Sequence, residues 1–264
     1  MSAFLILLGA GVFAGLLSGA LGIGGGILVV PLLIFMLPGM GIPAEIVVPT
    51  AIGTSLATIA ITTLSSAWAH QKRNNIDWRW VKLLVPMVVL GGFLGAWIGS
   101  SIPALVLQRV FAVMLLYLAA RMIWKRQPRN SEKAIQHWKV RGFGVAIGTV
   151  SALVGIGGGA LIVPLLNYYQ VVMARAVAIA AVCSVVLAAV STALYSAVGS
   201  LNHSYEIFGL VGFFYIPAWL AIVATSVLCA PLGAKIASVL PVRYLQRAFA
   251  ALLIAVAIHL LISG

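Results

Sequence analysis

An all-α, membrane-embedded fold made of two homologous four-segment halves is predicted by three observations. The 264-residue chain is 63% hydrophobic and only 8% charged, with a mean hydropathy of +1.16, values foreign to a water-soluble domain of this size. Apolar stretches close to the roughly 20 residues needed to cross a bilayer follow one another with little between them. A glycine block occurs twice, as Gly22-Ile23-Gly24-Gly25-Gly26 and as Gly155-Ile156-Gly157-Gly158-Gly159, each time ahead of a proline-bearing apolar run.

The apolar segments are read at 1–37, 45–68, 82–100, 104–124, 142–168, 177–198, 208–230 and 244–262. The first aligns with the fifth. GVFAGLLSGALGIGGGILVVPLL from Gly11 lies on GVAIGTVSALVGIGGGALIVPLL from Gly144, and Pro31 falls on Pro164. After a register shift of four residues, AIGTSLATIAITTLSSA from Ala51 lies on AAVCSVVLAAVSTALYS from Ala180, so Thr54 and Ser55 match Cys183 and Ser184. In the last segments Pro103, Gln108, Arg109 and Phe111 match Pro241, Gln246, Arg247 and Phe249. The chain accordingly divides into a first transmembrane repeat (1–124), a basic cytoplasmic linker (125–141) and a second transmembrane repeat (142–264).

The net charge of +12 does not mark a nucleic-acid-binding surface, because most of it sits in two short connectors, from Lys72 to Lys82 and from Arg121 to Arg141. Basic loops beside membrane spans stay on the cytoplasmic side. Equivalent loops of the two copies differ in charge. The connector after the second segment is basic in the first copy, but its counterpart Ser200 to Glu206 has no Lys or Arg. The connector before the last segment is uncharged in the first copy, whereas its counterpart carries Lys235 and Arg243. Equivalent loops on opposite sides mean inverted repeats, with both termini outside and the linker inside.

Inversion needs an odd number of crossings per copy, yet each copy has four apolar segments. The glycine-bearing segment resolves this. A stretch of 37 residues is about 55 Å long as a helix, too long for one span and too short for two. A helix that enters, unwinds at GIGGG and returns as a shorter helix satisfies the count. A kinked, tilted full span is the alternative.

Backbone that leaves the helical ladder at membrane depth must be buried in protein or line a watery cavity. Two such breaks at equivalent positions predict a central cavity, and the helices that follow them point positive dipole ends into it. The ligand expected there is a small anion. The expected site is Gly22, Gly24, Gly25, Gly26, Thr54 and Ser55 from the first copy with Gly155, Gly157, Gly158, Gly159, Cys183 and Ser184 from the second. The row Thr54, Ser55, Thr58, Thr62 and Ser66 recurs at helical spacing, and Ser184, Ser191 and Tyr195 echo it. Such hydroxyls can also simply bond their own helix. Arg109 and Arg247, each about a turn into a span, are candidates for electrostatic guidance, against the alternative of snorkelling to headgroups. The ridge Gly11, Gly15 and Gly19 reads as close helix packing.

No enzyme is expected, since the sequence has no HExxH, no GxSxG and no usably spaced carboxylate pair. No metal or cofactor is expected either. Cys183 and Cys229 form neither a CxxC nor a Cys/His ligand pattern.

The paired G-x-G-G-G-x-x-x-x-P-x-L blocks and the eight apolar segments resemble the sulfite exporter TauE/SafE family of bacterial membrane permeases. The resemblance covers both halves. It is carried by Leu21 to Leu33 and Val154 to Leu166, with support from Gly53 to Ala57 and from the LQR-x-F-A blocks at Leu107 and Leu245. It implies a permease of sulfite, sulfonates or related small sulfur-containing anions in the cytoplasmic membrane of a bacterium. The partners are then that anion, the lipid bilayer and, optionally, a second copy in a homodimer. A passive anion channel and a non-transporting membrane assembly factor are the competing classes.

Overall fold

The computed structural model describes residues 2–21, 26–123, 136–202, 207–239 and 242–262. Gly22, Gly24 and Gly25, most of the linker and the connector 203–206 lie outside that set. The chain is mostly helical, as expected. The first repeat holds α1 (Ser2–Leu21), α2 (Gly26–Met36), α3 (Ala44–Lys72), α4 (Trp78–Ser101) and α5 (Ala104–Ile123). The second holds α6 (His137–Val154), α7 (Gly159–Tyr168), α8 (Met173–Asn202), α9 (Ile216–Val239) and α10 (Val242–Ile262). Among the described residues, four helical stretches are long and apolar enough to cross a membrane: Ala44–Lys72, Trp78–Ser101, Ala104–Arg121 and Met173–Leu201.

Local chemistry sets several boundaries. Asp77 caps α4 by accepting the Arg79 amide at 3.0 Å. Pro43 stands at the start of α3, where the missing N–H costs nothing. At the end of α6, Gly155 takes a left-handed φ of +69° and its amide donates to the Ser151 carbonyl at 2.9 Å.

The segment read as apolar from 208 to 230 is not one helix. Its first part is a hairpin, β1 (Leu210–Val211) and β2 (Phe214–Tyr215), with Val211 paired to Phe214 across the two-residue turn Gly212-Phe213. Gly212 has φ +57°, as the first central position of a type II′ turn requires. The hairpin is wedged against α3 and α8. A side chain on Gly53 would strike the Phe213 carbonyl, and the Phe213 amide donates to the Tyr195 carbonyl at 3.3 Å.

The two sequence copies interleave. Each copy's first helix packs along the other copy's helix from its third apolar segment, giving the pairs α1/α9 and α4/α6. Glycine ridges make this approach possible. Gly11 and Gly15 press on the backbone at Ile222 and Ser226 of α9, while Gly91 and Gly95 meet α6 at Val145 and Thr149. Both pairs run parallel. The equivalent helices α5 and α10 run antiparallel, since Gln108 near the start of α5 donates to the Leu260 carbonyl near the end of α10 at 2.9 Å. One apolar cluster combines α4 with α6, α7 and α8, and the other gathers most of α1, α2, α3, α5, α9 and α10.

In both copies the short helix after the glycine block lies back along the long helix before it. Tyr169, just past α7, meets Trp80 with ring centroids 5.6 Å apart. Trp80 lies at the start of α4, the level at which parallel α6 also begins. Likewise, Ile6 to Phe13 of α1 and Leu28 to Met36 of α2 line the same apolar crevice of about 1170 Å³ with the end of α10. The short helices therefore return along the long ones.

Candidate functional site

The second glycine block is described throughout. Gly155 and Gly157 hold φ of +69° and +66°, which glycine reaches without the Cβ clash other residues meet. Gly155 to Gly158 are all buried, and α7 starts at Gly159. The first amides of α7 have no carbonyl partner within their own helix, as at every helix start.

The two blocks meet at α3. The Ser55 hydroxyl donates to the Gly155 carbonyl at 2.9 Å and lies 3.3 Å from the Gly26 carbonyl, so one side chain touches the glycine segment of each repeat. A methyl group on Gly26 would lie 2.9 Å from the Gly155 carbonyl oxygen. Ile59, one turn further along α3, is wholly buried and abuts both Gly26 and Gly157.

The remaining expected residues have separate surroundings. Thr54 is buried, and its hydroxyl oxygen accepts the Tyr215 amide at 3.0 Å, tying the hairpin to α3. Cys183 is buried in the apolar cluster with Val140, Ile162 and Leu166. Ser184 is buried, its hydroxyl has no partner, and it lies 3.5 Å from where a Gly159 Cβ would stand. Thr58, Thr62 and Thr63 bond carbonyls of their own helix at 3.0, 3.1 and 2.6 Å, the self-satisfying pattern. Ser191 lies 3.5 Å from the Gly92 carbonyl, and Tyr195 donates to the Ala152 carbonyl at 3.3 Å. Arg109 is exposed on α5. Arg247 falls within α10, and its side chain lies outside the described set.

Sequence reasoning missed Ser151 and Thr50, both buried with unpartnered hydroxyls. A buried hydroxyl without a partner costs free energy, so each is a point of unused hydrogen-bonding capacity. A signal for Ser151 was present. The alignment of the glycine blocks sets it on Ser18, so each copy has a serine four residues before its first glycine. Among the described residues no cluster of His, Cys, Asp or Glu is arranged to hold a metal ion.

Membrane-length apolar helices, two short helices that return along long ones and buried hydroxyls where their glycine ends meet together form the build of a multi-pass membrane transporter. The comparisons with known proteins agree. The sequence profile of the sulfite exporter TauE/SafE family matches residues 7–260, and the chain belongs to that family. A "probable membrane transporter protein" of Haemophilus influenzae is 36% identical over 261 residues, covering 98% of each chain. One of the same description from Methanocaldococcus jannaschii is 34% identical over 179 residues, covering 66% of this chain and 65% of its own. One from Xylella fastidiosa is 30% identical over 173 residues, or 64% of each. No solved structure matches the chain. Family and relatives indicate a membrane transporter rather than an enzyme.

Proposed function

We propose that the protein is a carrier of small sulfur oxyanions, sulfite or sulfonates, across the cytoplasmic membrane of a bacterium by alternating access. The observation that carries this reading is the meeting of the two glycine segments, one from each repeat, at Ser55. Broken helices that converge from two repeats are where transporters of this general build hold their ligands. The positive end of α7 and the unpartnered Ser184 hydroxyl beside it offer donors to an oxyanion without a buried countercharge. The ligand set is then Gly26, Ser55, Gly155, Gly157, Gly158, Gly159 and Ser184, with Gly22, Gly24 and Gly25 as the first-repeat counterparts. Thr54 and Cys183 support that set from behind, and Arg109 and Arg247 guide anions electrostatically.

The same reading takes the copies as inverted repeats, 1–124 and 142–264 around the cytoplasmic linker 125–141. The antiparallel packing of α5 on α10 supports inversion. So do the basic connectors, which the positive-inside tendency puts on one side. Each copy then has three crossings and one re-entrant hairpin. The bodies that rock against each other are the mixed bundles around α4/α6 and α1/α9, not the sequence halves.

Counterflow in proteoliposomes of purified protein tests the proposal. Vesicles loaded with sulfite and given labelled sulfite, thiosulfate, sulfate or methanesulfonate outside are expected to accumulate one label against its gradient. Flux without counterflow would indicate a channel, and no flux of any label from folded protein would refute the anion reading. Gly158→Leu and Gly25→Leu are each expected to abolish transport while leaving membrane insertion intact.

A further inference from the structure

Resting on the anion-carrier reading above, the geometry points to Ile59 as the residue that limits the size of the anion, by filling the gap between the two glycine breaks. A Cβ on Gly26 would collide with Ile59 Cδ1, and one on Gly157 would lie 2.8 Å from its Cγ2 and 3.3 Å from its Cδ1. One side chain thus touches a glycine of each block. One turn earlier on the same face of α3, Ser55 contacts carbonyls on both sides of that gap. Ser55 fixes the backbone frame, and Ile59 occupies the space within it.

Two further observations bear on what Ile59 does. Residues 46–59 of α3 are all buried, whereas Thr62 and Ser66, next along the hydroxyl row, are only half-buried. The unbroken buried stretch of α3 ends at Ile59, one residue past Thr58 of that row. The register that pairs Ser55 with Ser184 also pairs Ile59 with Ala188, equally buried. The bulk at this register position therefore belongs to the first repeat, while Leu187 and Ile162 of the second pack against the neighbouring Gly158. The unpartnered Ser184 hydroxyl stands on the second repeat's side, beside Gly159.

These positions give Ile59 a chemical consequence. An oxyanion held by the Ser184 hydroxyl and the first amides of α7 lies within a few residues of Gly157, against which Ile59 packs. A sulfite ion carries no organic substituent on sulfur, but a sulfonate does. That substituent competes with the isoleucine side chain for the same gap. An aliphatic wall discriminates by about 10- to 200-fold per methylene, so a single residue here is enough to set the substrate range.

Counterflow of Ile59→Val, Ile59→Ala and Ile59→Phe, each checked for monodisperse elution in detergent, tests the assignment with labelled sulfite and labelled ethanesulfonate. The ethanesulfonate-to-sulfite ratio is expected to rise about tenfold or more in Ile59→Ala, to rise less in Ile59→Val and to fall in Ile59→Phe. If Ile59→Ala fails to fold, the valine and phenylalanine variants carry the comparison. A ratio that stays within about twofold of wild type across the folded variants, against the discrimination expected of an aliphatic wall, overturns the role of Ile59 and leaves the carrier reading intact. Wild-type protein that carries neither anion sinks the carrier reading itself, and this assignment with it.

Discussion

Ser55 and Ser184 occupy equivalent positions in the two repeats, yet one hydroxyl is engaged and the other is not. Ser55 donates to Gly155 and lies close to Gly26, whereas Ser184 faces the start of α7 without a partner. The neighbours differ in the same sense. Thr54 holds the hairpin through the Tyr215 amide where Cys183 packs among apolar side chains, and bulky Ile59 stands opposite small Ala188. The first repeat's α3 is built as a frame. The second repeat's α8 leaves donor capacity at Ser184. Duplication supplied two similar surfaces, and divergence left one hydroxyl engaged with both glycine segments and the other without a partner.

The largest expected effect is on the frame itself. Gly157→Val forces a branched residue into a left-handed conformation and against Ile59, at a cost of about 3 kcal/mol or more, read as thermal unfolding in detergent. A wild-type melting temperature would break the picture of a constrained break. Ser55→Ala comes next. It leaves the Gly155 carbonyl buried without its donor and is expected to cost about 1–3 kcal/mol. Ser184→Ala is the contrasting partner, with stability within about 0.5 kcal/mol of wild type but a weaker apparent affinity for the anion in counterflow. Equal stability losses from the two alanine variants would erase the asymmetry.

Smaller differences sharpen the same comparison. Thr54→Val, which strands the Tyr215 amide, is expected to lower stability by about 1–2 kcal/mol, and Cys183→Val by less. Unfolding curves of the two side by side decide the order. The smallest effect belongs to exposed Arg109. Arg109→Gln leaves stability unchanged and slows uptake only at low ionic strength, as salt screens a surface charge over about 10 Å. A loss that persists at high salt would move Arg109 from guidance to direct contact.

The long helices were legible because lipid imposes length and apolarity, and α3, α4, α5 and α8 fall within a few residues of the apolar segments. The doubling back at Gly155 to Gly158 was legible from the cost of glycines in a helix and from the alignment with the over-long first segment. The hairpin at 210–215 was not, because Phe213 to Tyr215 are as apolar as the helix that follows, and only Gly209 and Gly212 marked the turn. Ile59 was hidden for the same reason. An isoleucine in an apolar helix carries no chemical mark, and its role comes from what the fold brings against it. The interleaving of the copies likewise depends on contacts between distant residues, which no local pattern encodes.

That interleaving bears on how the protein is made. Helix α1 is synthesised long before α9, which accepts the Gly11 and Gly15 ridge. Until α9 is made, the small-residue face of α1 lacks that partner. By contrast, α4 precedes α6 closely and finds its partner early. Biogenesis is thus staggered, with the α4/α6 pair able to form early and the α1/α9 pair only once α9 has been made.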